Sequence, residues 1–214
     1  MSKVLICVPC MESVPADFAR SLAMIQRGQN DVALGFEVGS LIYTSRNQLA
    51  RYAIETEADY TLWFDSDMVF NPDTLIRMVN TAKEKKIDFL TGVYYRRKPP
   101  FTPVLFDKLE IDLEKEEADY SEFQDIPDGL FKVGGTGFGC CLVDAGIFLD
   151  VQTKFGNMFS PIGGNGEDVS FCWRARQCGY EIWADPSIQL GHVATTTVTA
   201  ETWKAIRNYN KEVK

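Results

Sequence analysis

The sequence YTLWFDSDMVF, residues 60–70, decides the fold, because it joins an apolar strand to a pair of carboxylates. Tyr60 to Phe64 is apolar and aromatic, which is typical of a buried strand, and it runs directly into Asp65. Open α/β sheets bind their ligands beyond the carboxyl ends of the strands. Two carboxylates this close are costly to hold together unless a cation or hydrogen-bond donors stabilise both. The stretch therefore predicts a ligand site at Asp65 and Asp67.

The nature of that site follows from its oxygen atoms. Hard cations such as Mg²⁺ and Mn²⁺ prefer carboxylate oxygens, so the pair indicates metal binding. A simpler interpretation is a capped turn, because Asp is common where strands end. Asn71 weakens that interpretation, since we expect it to cap the next helix, with Pro72 at the first helical position.

Strands and helices alternate on both sides of this stretch. We expect strands at 3–8, 32–38, 60–64 and 88–94, and helices at 15–26, 45–57 (capped by Ser45) and 71–85. The alternation predicts βαβ units, and thus an α/β fold with a mostly parallel central sheet flanked by helices. Further on we expect two short strands around a glycine cluster in 130–143, a helix at 167–178 and a strand at 180–184.

Two segments do not fit the alternation. Residues 96–129 contain Pro99, Pro100 and Pro103 and then a run of acids, so we expect an irregular excursion over the sheet; the role of the acidic part, 107–128, stays open. Residues 200–214 predict a polar helical tail anchored by Trp203 and Ile206. We therefore expect one domain over 1–199, followed by this tail.

Composition narrows the class of protein. The 214 residues are 45% hydrophobic and 24% charged, as in ordinary globular domains. The net charge of -8 argues against a nucleic-acid partner, because such proteins usually carry a basic face. A small anionic ligand is still compatible, since a metal ion supplies local positive charge. With no run of 18 apolar residues and no signal peptide in residues 1–11, we expect no transmembrane segment and a cytoplasmic protein.

The cysteines are expected to be reduced and structural. They are Cys7, Cys10, Cys140, Cys141, Cys172 and Cys178. The Cys7-x-x-Cys10 spacing also occurs in redox and zinc sites. However, Cys7 lies in an apolar strand, and no second pair at metal spacing has a nearby histidine. Buried cysteine behaves as a small hydrophobic residue, so this interpretation is favoured.

Two later features carry candidate chemistry. Gly163 to Gly166 precedes Glu167 and Asp168 on a helix's first turn, where the dipole favours an ionised carboxylate that could act as a general base. Simple N-terminal capping by either acid is the alternative. His192 is the only histidine, and imidazole suits Mn²⁺ and its neighbours; a lone histidine is otherwise a structural residue.

In this order the motifs resemble the GT-A fold glycosyltransferases, over roughly residues 4–193. VLICVPCMES is similar to the first strand-loop-helix of the nucleotide site, and TSRNQLARYAIETEADY to the Arg-Asn helix of the family-2-like inverting enzymes. The matching motifs are Asp65-Ser66-Asp67 (DxD), Gly134 to Gly139 (the glycine loop), Gly166-Glu167-Asp168 (xED) and His192 (the C-terminal metal histidine). The chain departs from many relatives at Pro9-Cys10-Met11-Glu12, where Pro-x-Tyr-Asn is usual.

The resemblance implies a nucleotide-sugar donor and a role for each motif. Asp67 and His192 would coordinate Mn²⁺ or Mg²⁺ together with the donor's diphosphate, and Asp65 would contact the ribose or the metal and its water. Residues near the nucleotide sugar would be Pro9, Met11, Glu12, Arg46, Asp65 and Ser66, with Gly137 of the glycine loop on the sugar and acceptor side. The catalytic acids would be Glu167 and Asp168, with Asp168 as the base of an inverting transfer. Uridine is common in the family, so the resemblance implies a UDP-sugar as the donor.

Two rival functions remain at this point. FDSDMV also fits the Asp-x-Asp-x-Val motif of haloacid-dehalogenase-like phosphatases, in which Asp65 would be a nucleophile. That family carries the motif on its first strand, whereas more than 60 residues precede it here. A non-catalytic nucleotide or sugar binding protein of the same fold would need Asp67 but not Asp168. The sequence names neither the acceptor (a glycan, a lipid-linked group or a protein) nor the oligomeric state.

Overall fold

The strand at residues 60–64 has the predicted limits and lies inside a seven-stranded sheet in the computed structural model. The structure describes residues 1–39, 41–115, 117–195, 197, 199–201 and 204. The strands are β1 (Lys3–Cys10), β2 (Asp31–Val38), β3 (Tyr60–Phe64), β4 (Met68–Val69), β5 (Phe89–Val93), β6 (Leu105–Asp112), β7 (Glu117–Glu122), β8 (Phe131–Val133), β9 (Gly135–Thr136), β10 (Cys140–Asp144), β11 (Ile182–Gln189) and β12 (Gly191–His192). The helices are α1 (Ala16–Ala23), α2 (Ile42–Glu55), α3 (Thr74–Lys85), α4 (Ala145–Phe155) and α5 (Glu167–Gln177).

The main sheet has the order β2-β1-β3-β10-β5-β11-β8. β1 runs parallel to β2 and β3, and β5 runs parallel to β11. β10 lies antiparallel between β3 and β5, and β8 is antiparallel to β11. Five of the seven strands thus share one direction, which confirms the predicted mostly parallel α/β sheet. Their carboxyl ends meet at one edge, and Asp65 follows β3 there.

Each face of the sheet has its own hydrophobic core, because neighbouring side chains of a strand point to opposite faces. Leu62 and Phe64 belong to one core, with helices α1 and α3. Trp63 belongs to the other, in a fully buried aromatic cluster with Phe138, Phe148, Phe159 and Phe171. Trp63 Nε1 donates a hydrogen bond of 2.7 Å to Thr61 Oγ1, so its one polar atom is satisfied.

Two predicted helix caps are wrong. α2 begins at Ile42 with Leu41 at the N-cap position, and Ser45 is buried inside the helix. α3 begins at Thr74, after Asp73, and neither cap side chain makes a capping hydrogen bond. Asn71 contributes only its carbonyl, which accepts from the Thr74 amide at 3.1 Å. Asn71 therefore gives no reason to prefer metal binding over a turn at Asp65 and Asp67; that preference must come from the site itself.

The excursion predicted to be irregular contains a β-hairpin. β6 pairs with β7 along its length and with β9 at its start. Leu105, Leu109 and Ile111 of β6 are buried at strand spacing between exposed charged residues. The acidic composition hid this alternation, because three buried residues suffice to fix a strand on a face.

The remaining comparisons with the sequence predictions concern a helix, the cysteines, the C-terminal tail and membrane-spanning helices. Helix α4 was not predicted, because the sequence analysis assigned no element between residues 143 and 167. The six cysteines are free thiols, all buried except the half-buried Cys178, and burial raises the pKa of Cys140 and Cys172 to about 12.

Trp203 and Ile206, the predicted anchors of the tail, lie outside the described residues. Within the described part, no helix combines the length and apolarity needed to cross a membrane.

We predict that the aromatic cluster carries much of the stability, and α4 offers a matched pair of substitutions to test this. Phe148 is fully buried against Trp63, Phe159 and Phe171, whereas its neighbour Leu149 is 51% exposed. Phe148→Ala should lower the free energy of unfolding by about 3–5 kcal/mol in urea titrations. Leu149→Ala should stay within about 0.5 kcal/mol of wild type. Equal losses in the two variants would contradict this packing.

Candidate active site

A cleft of about 310 Å³ opens at the carboxyl edge of the sheet. It is lined by Pro9, Cys10, Met11, Gly39, Ile42, Arg46, Asp65, Ser66, Asp67, Arg97, Glu167, Asp168 and His192. All the residues proposed from the sequence are among these, except Glu12 and Gly137. The ends of β1 and β3, the starts of α2 and α5, and β12 thus converge on one space.

The two exceptions have different positions. Glu12 is exposed beyond the end of β1 and is not part of the cleft wall. Gly137 is buried behind Asp168, and a Cβ there would collide with the hydroxyl of Tyr94. The Gly139 amide donates a 3.0 Å hydrogen bond to that same hydroxyl. The glycine loop therefore backs the site and packs on Tyr94, and Gly137 does not face the cleft.

Arg46 lies at the centre of the site and joins two motifs that are far apart in sequence. Its Nη2 donates to Asp65 Oδ1 at 2.7 Å, and its Nε donates to Glu167 Oε1 at 3.1 Å. The side chain is only 3% exposed, and the guanidinium lies over the rings of Trp63 and Phe138. Burial alone would lower the pKa of Arg46, but the charges of Asp65 and Glu167 raise it overall. The guanidinium is therefore a permanent buried cation.

One atom of this guanidinium is unsatisfied. Arg46 Nη1 has no hydrogen-bond partner among the described residues, although it is buried. A buried donor without a partner is costly, and such groups concentrate at functional sites. The rest of the side chain is fixed by two carboxylates and two rings, so Arg46 cannot turn Nη1 to solvent without losing them.

Asp168 stands in the first turn of α5 and has an unusual pKa. Its Oδ1 accepts a 2.7 Å hydrogen bond from the Val169 amide. The pKa of Asp168 is raised to about 6, mainly by burial and next by the Glu167 charge, with a partial opposing effect from Arg46. The dipole argument alone predicts a stabilised carboxylate, and here burial outweighs it. A carboxylate with a pKa near neutrality is suited to general-base chemistry.

Asp67 and His192 are brought together by a short strand pair. β12 is antiparallel to β4, with His192 opposite Met68, and the Val193 amide donates to the Asp67 carbonyl at 2.8 Å. His192 Nε2 lies 3.4 Å from Asp67 Oδ1. His192 Nδ1 lies 2.9 Å from the Tyr95 carbonyl, which can only accept, so Nδ1 carries the proton. This hydrogen bond leaves Nε2 facing Asp67.

The charges around Asp67 are mutually stabilising. The hydrogen bond to Asp67 raises the pKa of His192 above its ordinary value, against the effect of burial. Burial alone would raise the pKa of Asp67, but His192 and Arg97 lower it overall. Arg97 Nη1 contacts Asp67 Oδ2 at 2.8 Å, a contact that sequence reasoning did not anticipate. Arg97 carries no motif, and only its place after β5 at the carboxyl edge could have indicated it.

The residues fit a hard cation in part. No group of three or more His, Cys, Asp or Glu side chains in the described part of the chain is arranged to hold a metal. Mg²⁺ sites commonly use only one or two carboxylates and complete their shell with phosphates and water. The 3.4 Å between Asp67 Oδ1 and His192 Nε2 suits two donors each about 2.1 Å from one ion. Asp65 is less available, because Arg46 holds its Oδ1.

Comparison with known proteins gives structural matches only. No family model matches the chain, and no curated protein matches it. The crystal structure of A197 from STIV matches over 89% of this chain and 85% of that chain, with a TM-score of 0.62 and 18% identity. The structure of GalNAc-T7 with UDP, GalNAc and Mn²⁺ matches over 91% of this chain and 44% of that chain, with a TM-score of 0.60 and 10% identity. The chain therefore spans less than half of GalNAc-T7.

These structural similarities establish the fold. The chemistry has to be argued from the residues of the site. The seven-stranded α/β sheet with its flanking helices is a Rossmann-like GT-A fold, as the sequence resemblance implied. At such low identity, residue roles do not transfer from the matched structures. The assignment to family-2-like enzymes stays a prediction.

We predict that Arg46 holds the site together through its charge. Arg46→Met should lower the free energy of unfolding at pH 7 by about 2–4 kcal/mol, because Asp65 and Glu167 lose their shared partner. The control is Arg51→Met, an exposed arginine of the same helix, which should have little effect. A loss as small as that of the control would show that the two carboxylates do not depend on Arg46.

Proposed function

We propose that the protein is a metal-dependent glycosyltransferase that moves a sugar from a nucleotide-sugar donor to an acceptor hydroxyl. The donor that we propose is a UDP-sugar. The observation that carries the proposal is the convergence of Asp67, His192 and Asp168 on one cleft of a GT-A fold. An oriented histidine beside a carboxylate suits a cation, and a carboxylate with a pKa of about 6 suits a base. The acceptor is left open.

Asp67 and His192 would hold Mn²⁺ or Mg²⁺, with oxygens of the donor's diphosphate completing the shell. The cation's chemistry is to stabilise the negative charge that develops on the leaving diphosphate. The Tyr95 carbonyl keeps His192 in the tautomer that presents Nε2. The UDP and Mn²⁺ in the GalNAc-T7 structure support this choice of ligands.

Asp168 would accept the proton of the acceptor hydroxyl. The hydroxyl oxygen forms the new bond to the anomeric carbon, while the bond to the nucleoside diphosphate breaks on the opposite face, which inverts the configuration. Glu167 does not take this role, because Arg46 engages it at 3.1 Å. We propose instead that Glu167 positions α5, and thus Asp168, relative to Arg46.

The nucleotide would lie along the first loop and the start of α2. Pro9, Met11 and Ser66 line this part of the cleft, together with Gly39 and Ile42. Met11 is 61% exposed, which leaves its thioether available to an incoming base. Arg46 and Asp65 would contact the donor from the cleft floor. Glu12 lies outside the wall, so we no longer place it in the nucleotide site.

The rival functions differ in the product released. A phosphatase that uses Asp65 would release free phosphate, whereas the proposed transferase releases a nucleoside diphosphate. Asp65 follows an interior strand of the sheet and is tied to Arg46, which disfavours it as a nucleophile. A binding protein would release neither product.

We predict that transfer depends on a divalent cation. EDTA should abolish nucleoside diphosphate release, and Mn²⁺ or Mg²⁺ should restore it. The reason is that the cation held by Asp67 and His192 supplies the positive charge that stabilises the leaving diphosphate. Asp67→Asn should weaken Mn²⁺ binding at least about tenfold in calorimetric titrations. The control is Asp107→Asn, an exposed carboxylate of β6 outside the cleft. Full turnover in EDTA would rule out the metal role.

We also predict that Asp168 is the base. Asp168→Asn should lower kcat by about 10² or more with donor affinity close to normal. In the wild type, kcat/KM should fall as the pH drops through about 6, because the pKa of Asp168 is about 6 and only the ionised form accepts a proton. NMR of the product's anomeric proton should show inversion. Retention, or a variant as fast as wild type, would refute the assignment.

The same variant provides an independent check through stability. The folded-state pKa of Asp168 lies above that of an unfolded aspartate, so its ionisation opposes folding at pH 7 and this cost disappears below about pH 4. Metal-free Asp168→Asn should therefore be more stable than wild type at pH 7, by about 1–3 kcal/mol, and the gain should fade toward pH 4. A loss of stability at pH 7 would show that Asp168 is held for structure.

A further inference from the structure

Arg97 is the second arginine of the cleft, and it contacts the carboxylate that a cation would use. Its Nη1 lies 2.8 Å from Asp67 Oδ2, on the carboxylate whose other oxygen faces His192. Both oxygens of Asp67 are thus engaged by cationic or potentially cationic groups. A divalent ion that binds Asp67 must compete with the guanidinium for this carboxylate.

The charges that line the cleft indicate a second role for Arg97, which is to bind an anionic ligand. Carboxylates that line it are Asp65, Asp67, Glu167 and Asp168. Arg46 is buried and already committed to Asp65 and Glu167, so it cannot follow a ligand. An anionic diphosphate entering this cleft needs a mobile positive charge in addition to a metal ion. Of the described cationic residues lining the cleft, Arg97 is the one with an exposed side chain, at 56%.

The backbone around Arg97 is anchored, while its side chain is more than half exposed. The Arg96 amide donates to the Thr102 carbonyl at 2.9 Å, and the Phe101 amide donates to the Lys98 carbonyl at 2.9 Å. Tyr95, two residues before Arg97, bridges to Pro103 and orients His192 through its carbonyl. Rotation about side-chain bonds alone can therefore carry the guanidinium from Asp67 into the cleft, with the loop unchanged.

We propose that Arg97 is an exchangeable counter-ion. It neutralises Asp67 before the metal binds, leaves Asp67 when the cation arrives, and then binds the diphosphate of the donor. The inference rests on the proposed function, because it takes the cation and the diphosphate as the ligands. A planar guanidinium forms paired hydrogen bonds with either a carboxylate or a phosphate, so the same group serves both partners.

The test separates the two halves of the exchange by measuring binding without turnover. Isothermal titration with Mn²⁺ alone should show Arg97→Gln binding the ion about threefold or more tightly than wild type, since the competing cation is gone. Titration with inorganic pyrophosphate at saturating Mn²⁺ should show the variant binding about tenfold more weakly, since a charge-assisted hydrogen bond is lost. Pyrophosphate makes the result independent of the nucleobase.

Arg96 provides the matched control. It is adjacent, it is also an arginine, and it pairs with Glu122 at 2.5 Å outside the cleft. Arg96→Gln should leave both affinities unchanged. Arg97→Lys should bind Mn²⁺ as wild type does and regain part of the pyrophosphate affinity, because it keeps the charge but loses the planar fork.

Each remaining outcome is decisive. A wild-type protein that binds no Mn²⁺ would overturn the proposed function, and the inference with it. If the wild type binds Mn²⁺ and Arg97→Gln binds it no more tightly than the wild type does, the exchange is overturned. The proposed function would still stand. Tighter Mn²⁺ binding with unchanged pyrophosphate affinity, or a wild type that binds no pyrophosphate, would overturn the diphosphate half.

Discussion

The site depends on one buried guanidinium. Arg46 joins the carboxylate after β3 to the first turn of α5, and these segments are more than 100 residues apart in sequence. Its other side rests on Trp63 and Phe138, so the aromatic core sets the height at which the charge sits. Loss of Arg46 alone is costly because it leaves two carboxylates without their partner, but the complete set of charges adds little net stability compared with apolar side chains in all its places, since desolvation offsets attraction. Its value lies in fixing the relative positions of two acidic motifs.

The sheet supplies the second constraint. β10 enters antiparallel between β3 and β5, so the glycine loop that precedes it arrives at the same edge where β3 ends. β12 then pairs with β4 and returns the chain to Asp67. The side chains of the site come from distant segments of the chain. They meet because strand direction and strand order place the ends of these segments at one edge of the sheet. The cleft is in this sense a product of topology, to which side chains add charge.

Sequence reasoning succeeded where periodicity and motif order agree. β3 has the predicted limits, and the convergence of Asp65, Asp67 and Asp168 follows from strand ends and helix starts in a parallel sheet. It failed where tertiary contacts override local signals, as with the buried Ser45, the acidic hairpin and the pKa of Asp168. Arg97 was missed because a side chain that acts through a single long-range contact leaves no spacing in the sequence.

Tyr94 has a consequence for how such a site can change over evolutionary time. Its ring and hydroxyl occupy the space where a Cβ of Gly137 or Gly139 would lie, and the ring also meets His192 edge-on at 5.7 Å. A side chain can replace the hydrogen of Gly137 or Gly139 only if a smaller residue first replaces Tyr94, and that smaller residue would lose the edge-on contact with His192. Tyr94, Gly137 and Gly139 therefore depend on one another, and a substitution at one of them alone is disfavoured. We expect related sequences to keep all three residues or to change them together.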